Sequence, residues 1–149
     1  SILEINSIAS FGKIGLINKK SDHLFKNFSS EIMKKRPKLK IYGSDYKTKD
    51  GSCIRDFIHV SDIAQIHYLI LEKINKLKIS KILNCGYNKG ISVLEVAKMF
   101  KSKIRLLPKR PGERYASALI NKNLSNKMYK HFGKISLKSY IQDFLKKNN

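Results

Sequence analysis

The chain has 149 residues, of which 42% are hydrophobic, and this length suits one domain that buries roughly 68–70% of its unfolded surface. No apolar run approaches the roughly 18–20 residues of a membrane-spanning helix, and the first residues lack the basic start of a secretory signal, so we expect a soluble protein with no membrane partner. The formal net charge of +20 would favour nucleic acid as a partner, but most of the 31 basic residues are lysines scattered over every segment, so we expect none.

The first half of the chain predicts two strands and two helices. Ile2 to Ile5 predict a short apolar strand, and apolar residues at four-residue steps predict a helix from about Asp22 to Lys35. Leu39 to Tyr42 predict a second strand. A stripe of isoleucines on one face predicts a helix from Ser61 to Leu77.

The second half predicts two further strands and three helices. Ile82 to Cys85 and Ile104 to Leu107 are the strands, and Ser92 with Glu95 forms a capping box that starts a helix between them. Two closing helices are predicted, from about Asn123 to His131 and from Ser136 to Lys147. Strands that alternate with helices indicate an α/β protein.

The two cysteines and the five arginines carry separate information. Cys53 and Cys85 have no spacing suited to zinc or to a disulfide framework, so a reducing cytoplasm is the expected location and no metal site is indicated. Because guanidinium offers a planar fork that lysine cannot imitate, arginines in a lysine-rich chain are candidate ligand contacts. Two of them, Arg55 and Arg110, fall within motifs.

The most specific segment runs from Tyr42 to Asp62 and reads YGSDYKTKDGSCIRDFIHVSD. After the strand, glycines and short polar side chains favour turns, and Arg55 follows them just before a helix begins. An isolated Arg-Asp pair would be a surface ion pair worth about 0–1 kcal/mol. In this context Arg55 indicates a recognition loop.

This segment resembles the signature of the UDP-glucose 4-epimerases, which are extended members of the short-chain dehydrogenase/reductase superfamily. Nearly every fixed position matches the pattern Tyr-Gly-x-Asp-Tyr-x-Thr-x-Asp-Gly-(Thr/Ser)-x-x-Arg-Asp-(Tyr/Phe)-Ile-His-Val-x-Asp. The resemblance covers almost the whole chain and implies that residues 1–149 form the C-terminal, substrate-binding half of such an enzyme. Its fold would be α/β, with a few strands that complete the Rossmann sheet of an N-terminal NAD-binding half, which we expect to be absent.

Two motifs of the superfamily are not found in the sequence. Gly12 and Gly15 have the first spacing of the Gly-rich turn G-x-x-G-x-x-G, but Asn18 stands at its third position. None of the seven tyrosines has a lysine four residues later, so the catalytic Tyr-x-x-x-Lys is missing. Family members use bound NAD to oxidise the sugar at C4 and return the hydride to its opposite face. We therefore expect no catalytic residue in this chain, NAD bound mainly by the other half, and no activity from the chain alone.

The resemblance implies contacts to the diphosphate and the ribose. Arg55 and Arg110 match two arginines on the diphosphate, where a charge-assisted hydrogen bond is worth about 1.5–3 kcal/mol. Asn6 matches an asparagine that contacts the same group, although its preceding residues depart from the family pattern. Glu113 stands where the family motif Arg-x-Gly-Asp has aspartate, and is expected to bond the ribose hydroxyls.

The resemblance also implies contacts to the base and the sugar. Tyr42 is expected to pack on the uracil, with backbone groups of Lys40 and Ile41 at the edge of the base. His23 and Leu24 match a pair that begins a substrate-contacting helix. Each expectation has a plain alternative, in which Tyr42 is an ordinary edge-strand residue and His23 an ordinary surface residue.

Substrate and assembly follow from the same resemblance. The expected ligands are UDP-glucose and UDP-galactose, and a homodimer is usual in the family. Ser117 stands where a bulky side chain would crowd the C2 substituent of the sugar, so a serine there extends the expected ligands to UDP-N-acetylhexosamines.

Three other interpretations stay open at the level of sequence. The chain could be the C-terminal half of another NAD-dependent nucleotide-sugar dehydratase, decarboxylase or epimerase, although those relatives generally lack the Asp-Tyr-x-Thr-x-Asp-Gly loop. A basic RNA-binding module would need its cations gathered on one face with interleaved aromatic residues. A chain that has lost sugar binding is the third.

Overall fold

A computed structural model describes residues 23–73, 86–87, 89–117 and 136–148 of the chain. The predicted strands at 2–5 and 82–85 and the predicted helix at 123–131 lie outside these residues. Within the described segments, no helix combines the length and apolar character needed to cross a membrane.

Helix α1 spans Leu24–Ile32 and buries Phe25 and Phe28. Its N-cap residue is His23, which has an extended backbone and makes no capping hydrogen bond with its side chain. We predicted a longer helix, ending near Lys35. It ends earlier, in a tight turn in which Lys34 N donates to Glu31 O at 3.1 Å, a bond of the kind common at helix ends.

Two strands form a parallel pair that carries one wall of the core. Strand β1 spans Lys38–Tyr42 and pairs with Lys103–Leu107, which becomes β4 in chain order. The predicted bounds of both strands agree with the observed bounds to within one residue. Along β1 exposed and buried residues alternate, so Leu39 and Ile41 face the core while Lys38 and Lys40 are exposed.

A second sheet of three very short strands was not predicted. Its central strand β2 is Ile54–Asp56, flanked by β3, Gly90–Ser92, which is antiparallel, and by β5, Ala116–Ser117, which is parallel. Strands of two or three residues are too short for an alternating pattern to be read from sequence. The sheet fixes Arg55 between Ile91 on one side and Ser117 on the other.

The remaining helices follow the predictions where the structure describes them, and the predicted helix end at 74–77 lies outside the described residues. Helix α2 spans Val60–Lys73 and buries Ile63 and Ile66 in a small apolar cluster. Helix α3, Val93–Met99, starts at the predicted cap, where Ser92 Oγ accepts a hydrogen bond from Glu95 N at 3.0 Å. The final helix, α4, spans Leu137–Asn148.

The main core packs α1, α3 and α4 against the parallel pair. Its buried residues are Phe25, Phe28, Leu39, Ile41, Phe57, Val96, Ala97, Phe100 and Ile141. Edge-to-face contacts, with ring centroids 5.3 and 5.5 Å apart, join α1 to Phe57 and to the end of α3. The core therefore holds β1 rigidly, and the loop that follows Tyr42 begins from a fixed point.

Candidate functional site

The loop after β1 is a compact turn that two glycines make possible. Gly43 and Gly51 have positive φ angles of 80° and 77°. A Cβ at Gly43 would lie 2.1 Å from the Tyr46 ring, and one at Gly51 would lie 2.0 Å from Ser44 O. Both positions therefore require glycine for space as well as for backbone conformation.

Hydrogen bonds within the loop attach it to helix α3. Thr48 Oγ1 donates to Ser52 O at 2.7 Å, and Asp50 Oδ1 accepts from both the backbone and the hydroxyl of Ser52, at 2.9 and 2.8 Å. Asp50 Oδ2 accepts from Ser92 Oγ, while Ser52 Oγ accepts from Leu94 N. Partial burial raises the pKa of Asp50, but these hydrogen bonds outweigh it and hold the pKa below its usual value.

The end of the signature segment anchors residues 86–87. Tyr87 OH donates to Asp62 and accepts from His59 N, and Tyr87 N donates to Asp56 Oδ1 at 3.1 Å. Burial raises the pKa of Tyr87 strongly, and the bond to Asp62 adds to it. Asp56, His59 and Asp62 of the motif thus hold Tyr87 in place through these hydrogen bonds.

Arg55 is held in strand β2 and pairs with Glu113. Its Nη1 donates to Ile54 O at 2.9 Å, and its Nη2 lies 2.7 Å from Glu113 Oε1. The two side chains are 17% and 29% exposed, so the pair is partly shielded from water. The sequence connects neither residue to the other, because 58 positions separate them.

Arg110 lies against the ring of Tyr42. Its guanidinium carbon is 3.8 Å from the ring centroid, a cation–π contact. Glu113 N donates to Arg110 O at 3.4 Å, and Gly112, with φ of 75°, closes this turn. The turn from 110 to 113 therefore connects the Tyr42 contact directly to the Arg55 contact.

Lys109 makes a further contact with the signature segment, beside those of Arg110 and Glu113, and sequence reasoning missed it. Its Nζ lies 2.9 Å from Asp45 Oδ2 and 4.8 Å from the centroid of the Tyr46 ring. The hydrogen bond from Lys109 lowers the pKa of the Asp45 carboxyl. Asp45 and Tyr46 stood out as signature residues, but no local pattern linked them to a lysine 64 positions later.

A cavity of about 270 Å³ lies between α1 and the end of β1; we call it the Tyr42 cavity. Its lining includes Asn27, Phe28, Glu31, Lys40, Tyr42 and Arg110. Tyr42 ends β1 and Arg110 follows β4 by three residues, so part of the cavity lies near the carboxyl ends of the parallel strands, the usual ligand position in α/β sheets. Arg55 and Glu113 do not line it among the described residues; the turn at 110–113 joins them to it.

The other predicted site residues have varied positions. The side chain of Ile41 is buried, which leaves its backbone for any contact, and Leu24 packs against the main core. His23 is exposed at the start of α1. The backbone of Ser117 pairs with Arg55, while Asn6 lies outside the described residues.

A second concave surface lies at the opposite ends of the same strands; we call it the basic groove. It has a volume of about 740 Å³ and is lined by Arg36, Lys38, Lys101 and Lys103. Ile32, Phe100 and Leu145 form its apolar floor. Sequence reasoning did not single out this surface.

The same residues bear on metal and cofactor binding. Across 23–73, 86–87, 89–117 and 136–148, no group of three or more His, Cys, Asp or Glu side chains could hold a metal ion. The spaces beside Gly43 and Gly51 are filled by the loop's own atoms, so neither glycine forms an open cradle for a dinucleotide pyrophosphate.

A comparison with protein families decides the broad class of the chain. Residues 10–86, a little over half of its length, match the model of the NAD dependent epimerase/dehydratase family. The chain belongs to this family. Family membership agrees with the resemblance drawn from the Tyr42 to Asp62 segment.

Individual relatives and solved structures show which members of the family the chain is similar to. Over 87 residues the chain is 44% identical to a UDP-glucose 4-epimerase of Azospirillum brasilense, a match that spans 58% of this chain and 25% of that protein. The Brucella ovis UDP-glucose 4-epimerase, solved with NAD, superposes with a TM-score of 0.74 at 26% identity, covering 87% of this chain and 42% of that one. The Campylobacter jejuni UDP-Glc/GlcNAc 4-epimerase is 34% identical, with a TM-score of 0.59 and coverage of 83% and 40%.

These likenesses confirm the predicted fold class and its partial character. The structural neighbours are extended short-chain dehydrogenase/reductase epimerases, matched over most of this chain and about 40% of theirs. Against the curated relatives, the chain spans about a quarter to a third of their length.

Proposed function

We propose that this chain forms the UDP-sugar-binding part of a UDP-glucose 4-epimerase, which interconverts the C4 configuration of UDP-glucose and UDP-galactose. Support comes from the family match, from relatives named as this enzyme, and above all from the turn at 110–113. One end of that turn contacts Tyr42 and the other contacts Arg55, so four residues expected at the nucleotide belong to one connected structure.

The geometry suggests how a UDP-sugar would bind. Arg110 covers one face of the Tyr42 ring, so the uracil packs from the side of the Tyr42 cavity, where Lys40 and Phe28 also lie. The diphosphate then extends along the turn towards Arg55, where guanidinium groups can bind phosphate oxygens in pairs. Glu113, which contacts Arg55 and follows Arg110 in the same turn, would then bond the ribose hydroxyls.

In this proposal the chain binds and orients, and the hydride chemistry belongs to NAD held by another part of the enzyme. No side chain described here is assigned a proton-transfer step. We further propose that the intact enzyme is a cytoplasmic homodimer. Light scattering of the chain combined with an NAD-binding part would test the assembly, since a persistent monomer contradicts it.

Titration calorimetry of the 149-residue chain with UDP tests the proposal. Replacing Arg55 by Ala should weaken UDP binding by roughly 10- to 100-fold, the value of a charge-assisted hydrogen bond to phosphate. Arg36→Ala, in the basic groove, removes the same charge at the other end of the strands and should leave the affinity within about twofold. Equal losses in both variants, or no UDP binding by the unmodified chain, would contradict the proposal.

The accepted sugars form a finer proposal on the same site. Ser117 pairs with Arg55 in strand register, and the Campylobacter jejuni relative is named for both UDP-Glc and UDP-GlcNAc. We propose that UDP-N-acetylhexosamines bind as well. Ser117→Tyr should weaken UDP-N-acetylglucosamine selectively, whereas Ser117→Ala should not; equal affinities of all three proteins for that ligand would exclude the idea.

A further inference from the structure

We infer that Lys109 is a positioning residue of the nucleotide site. Its contacts with Asp45 and Tyr46 fix the chain just before Arg110. That arginine therefore already covers the Tyr42 ring when a ligand arrives. The inference rests on the proposed function and gives a role to the Asp-Tyr pair of the signature segment, which that function leaves unused.

The segment 108–114 crosses the site between two backbone anchors. At one end, Gly43 N donates to Leu107 O at 2.8 Å, which extends the β1/β4 ladder by one bond. At the other end, Ile54 N donates to Tyr115 O at 2.8 Å. Between these anchors, the contacts with the signature segment described above come from side chains. The position of the segment over the site therefore depends on those side chains.

Lys109 makes three contacts with two neighbouring residues. Its Nζ lies 2.9 Å from Asp45 Oδ2 and donates to Asp45 O at 3.3 Å. The same atom lies 4.8 Å from the centroid of the Tyr46 ring. An exposed ion pair alone contributes little, because water screens it and two long side chains lose freedom. An ammonium group bound by a carboxylate, a carbonyl and an aromatic face has few alternative positions, so Lys109 is held at one point of the loop.

The loop presents a preformed surface to Lys109. The Tyr46 ring lies so close to Gly43 that an added Cβ there would collide with it. Backbone bonds from Tyr46 N to Gly51 O, at 3.0 Å, and from Thr48 N to Tyr46 O, at 2.7 Å, hold both sides of the tyrosine. The contact therefore orders the segment that carries the lysine rather than the loop that receives it.

Order at Lys109 limits the positions open to the next residue, Arg110. The Arg110 guanidinium carbon lies 3.8 Å from the centroid of the Tyr42 ring. An arginine side chain has several rotatable bonds, and fixing such a side chain only when a ligand binds weakens the affinity. Because its ammonium is engaged by Asp45, Lys109 acts on the nucleotide through Arg110 and not as a phosphate ligand of its own.

Calorimetry of the full chain with UDP distinguishes positioning from simple electrostatics, because the two predict opposite signs for one variant. Asp45→Asn removes a negative charge near an anionic ligand, so electrostatics alone predicts tighter binding. Loss of positioning predicts UDP binding that is weaker by roughly 3- to 10-fold, the effect of ordering one long side chain. Lys109→Met should weaken binding at least as much, and the double variant should lose no more than Lys109→Met alone.

Two further variants serve as controls. Lys47→Met removes the same charge from an exposed position of the same loop, and should change the UDP affinity by less than about twofold. Lys109→Arg keeps a cation that can bind a carboxylate and lie over an aromatic ring, so it should retain most of the affinity.

Proton NMR of the ligand-free chain tests the positioning step without UDP. Protons held over an aromatic ring resonate upfield, so the side-chain protons of Arg110 should carry such a shift from Tyr42. The shift should diminish in Asp45→Asn and in Lys109→Met, and persist in Lys47→Met. Urea denaturation should give all three variants a stability close to that of the unmodified chain, since exposed ion pairs contribute little to it.

The outcomes distinguish this inference from the proposed function. If Arg55→Ala weakens UDP binding but Asp45→Asn tightens it or leaves it unchanged, the positioning role is wrong and the proposed function stands. An Arg110 shift that persists in both Asp45→Asn and Lys109→Met would overturn the inference in the same way. If Lys47→Met weakens binding as much as Lys109→Met, the effect is one of net charge and the inference is again wrong. If UDP does not bind the unmodified chain, both fail.

Discussion

The two ends of the β1/β4 pair carry similar numbers of cations and differ in how those cations are paired. At the carboxyl ends, Lys109 meets Asp45 and Arg110 meets the Tyr42 ring, while Arg55 meets Glu113 beside them. At the amino ends, Arg36, Lys38, Lys101 and Lys103 line the basic groove, and none of these four forms an ion pair within the described part of the chain. The number of cations at each end is therefore a poor guide to a binding site, and the partner of each cation is a better one.

Strand register explains part of the contrast. Lys38 lies directly opposite Lys103, and Lys40 opposite Arg105, on the exposed side of the sheet. Like charges at such positions repel and destabilise the pair. The last register pair, Tyr42 with Leu107, carries no charge, and the chain then enters the turns that hold the site. Repulsion between like charges thus destabilises the amino ends of the pair, whereas the cations at the carboxyl ends contact an acid or an aromatic ring.

The largest expected effect concerns the close packing of Gly43 against the Tyr46 ring in the loop after β1. Gly43→Ala should lower the free energy of unfolding by about 2–4 kcal/mol, because left-handed strain adds to a collision with the Tyr46 ring. Gly112→Ala has nearly the same φ but open space, and should cost about 1–2 kcal/mol. Urea denaturation of both variants measures the difference. Equal losses would mean that the loop relaxes freely around Tyr46.

A smaller effect is expected at the ring that Arg110 covers. Tyr42→Leu should weaken UDP binding by roughly 5- to 10-fold, since it removes the cation–π contact and the flat surface for the base. Tyr68→Leu alters a tyrosine that is 57% exposed on α2 and serves as the matched control. Calorimetry should find the control unchanged. A similar loss in Tyr68→Leu would indicate a general effect on stability.

The smallest expected effect concerns the amino ends of the β1/β4 pair. Lys103→Glu places opposite charges across the strands and should raise the free energy of unfolding by about 0.2–1 kcal/mol at low salt. The gain should shrink in 1 M salt, where exposed charges are screened over about 3 Å. UDP affinity should not change. A loss of affinity in Lys103→Glu would mean that the basic groove contributes to the nucleotide site, and the contrast between the two ends would fail.

Local sequence patterns predicted the elements whose causes are local. Strands β1 and β4, the Ser92 cap of α3 and the buried stripe of α2 were predicted because alternation, capping and helical spacing act within a few residues. The signature segment likewise identified Arg55 and the turn that precedes it, but not the strand that holds it. Helix α1 ended earlier than predicted, in a tight turn with a backbone bond from Lys34 N to Glu31 O, and apolar periodicity does not reveal such a turn.

By itself, the sequence determined the family, the α/β class and the residues of greatest interest, since these depend on motifs of neighbouring residues. Tertiary structure alone decided which of those residues meet. Contacts such as Arg55 with Glu113 and Lys109 with Asp45 join segments about sixty positions apart, and the short β3-β2-β5 sheet assembles from three separate segments. Such pairings arise when the whole core packs, so no local pattern of residues encodes them.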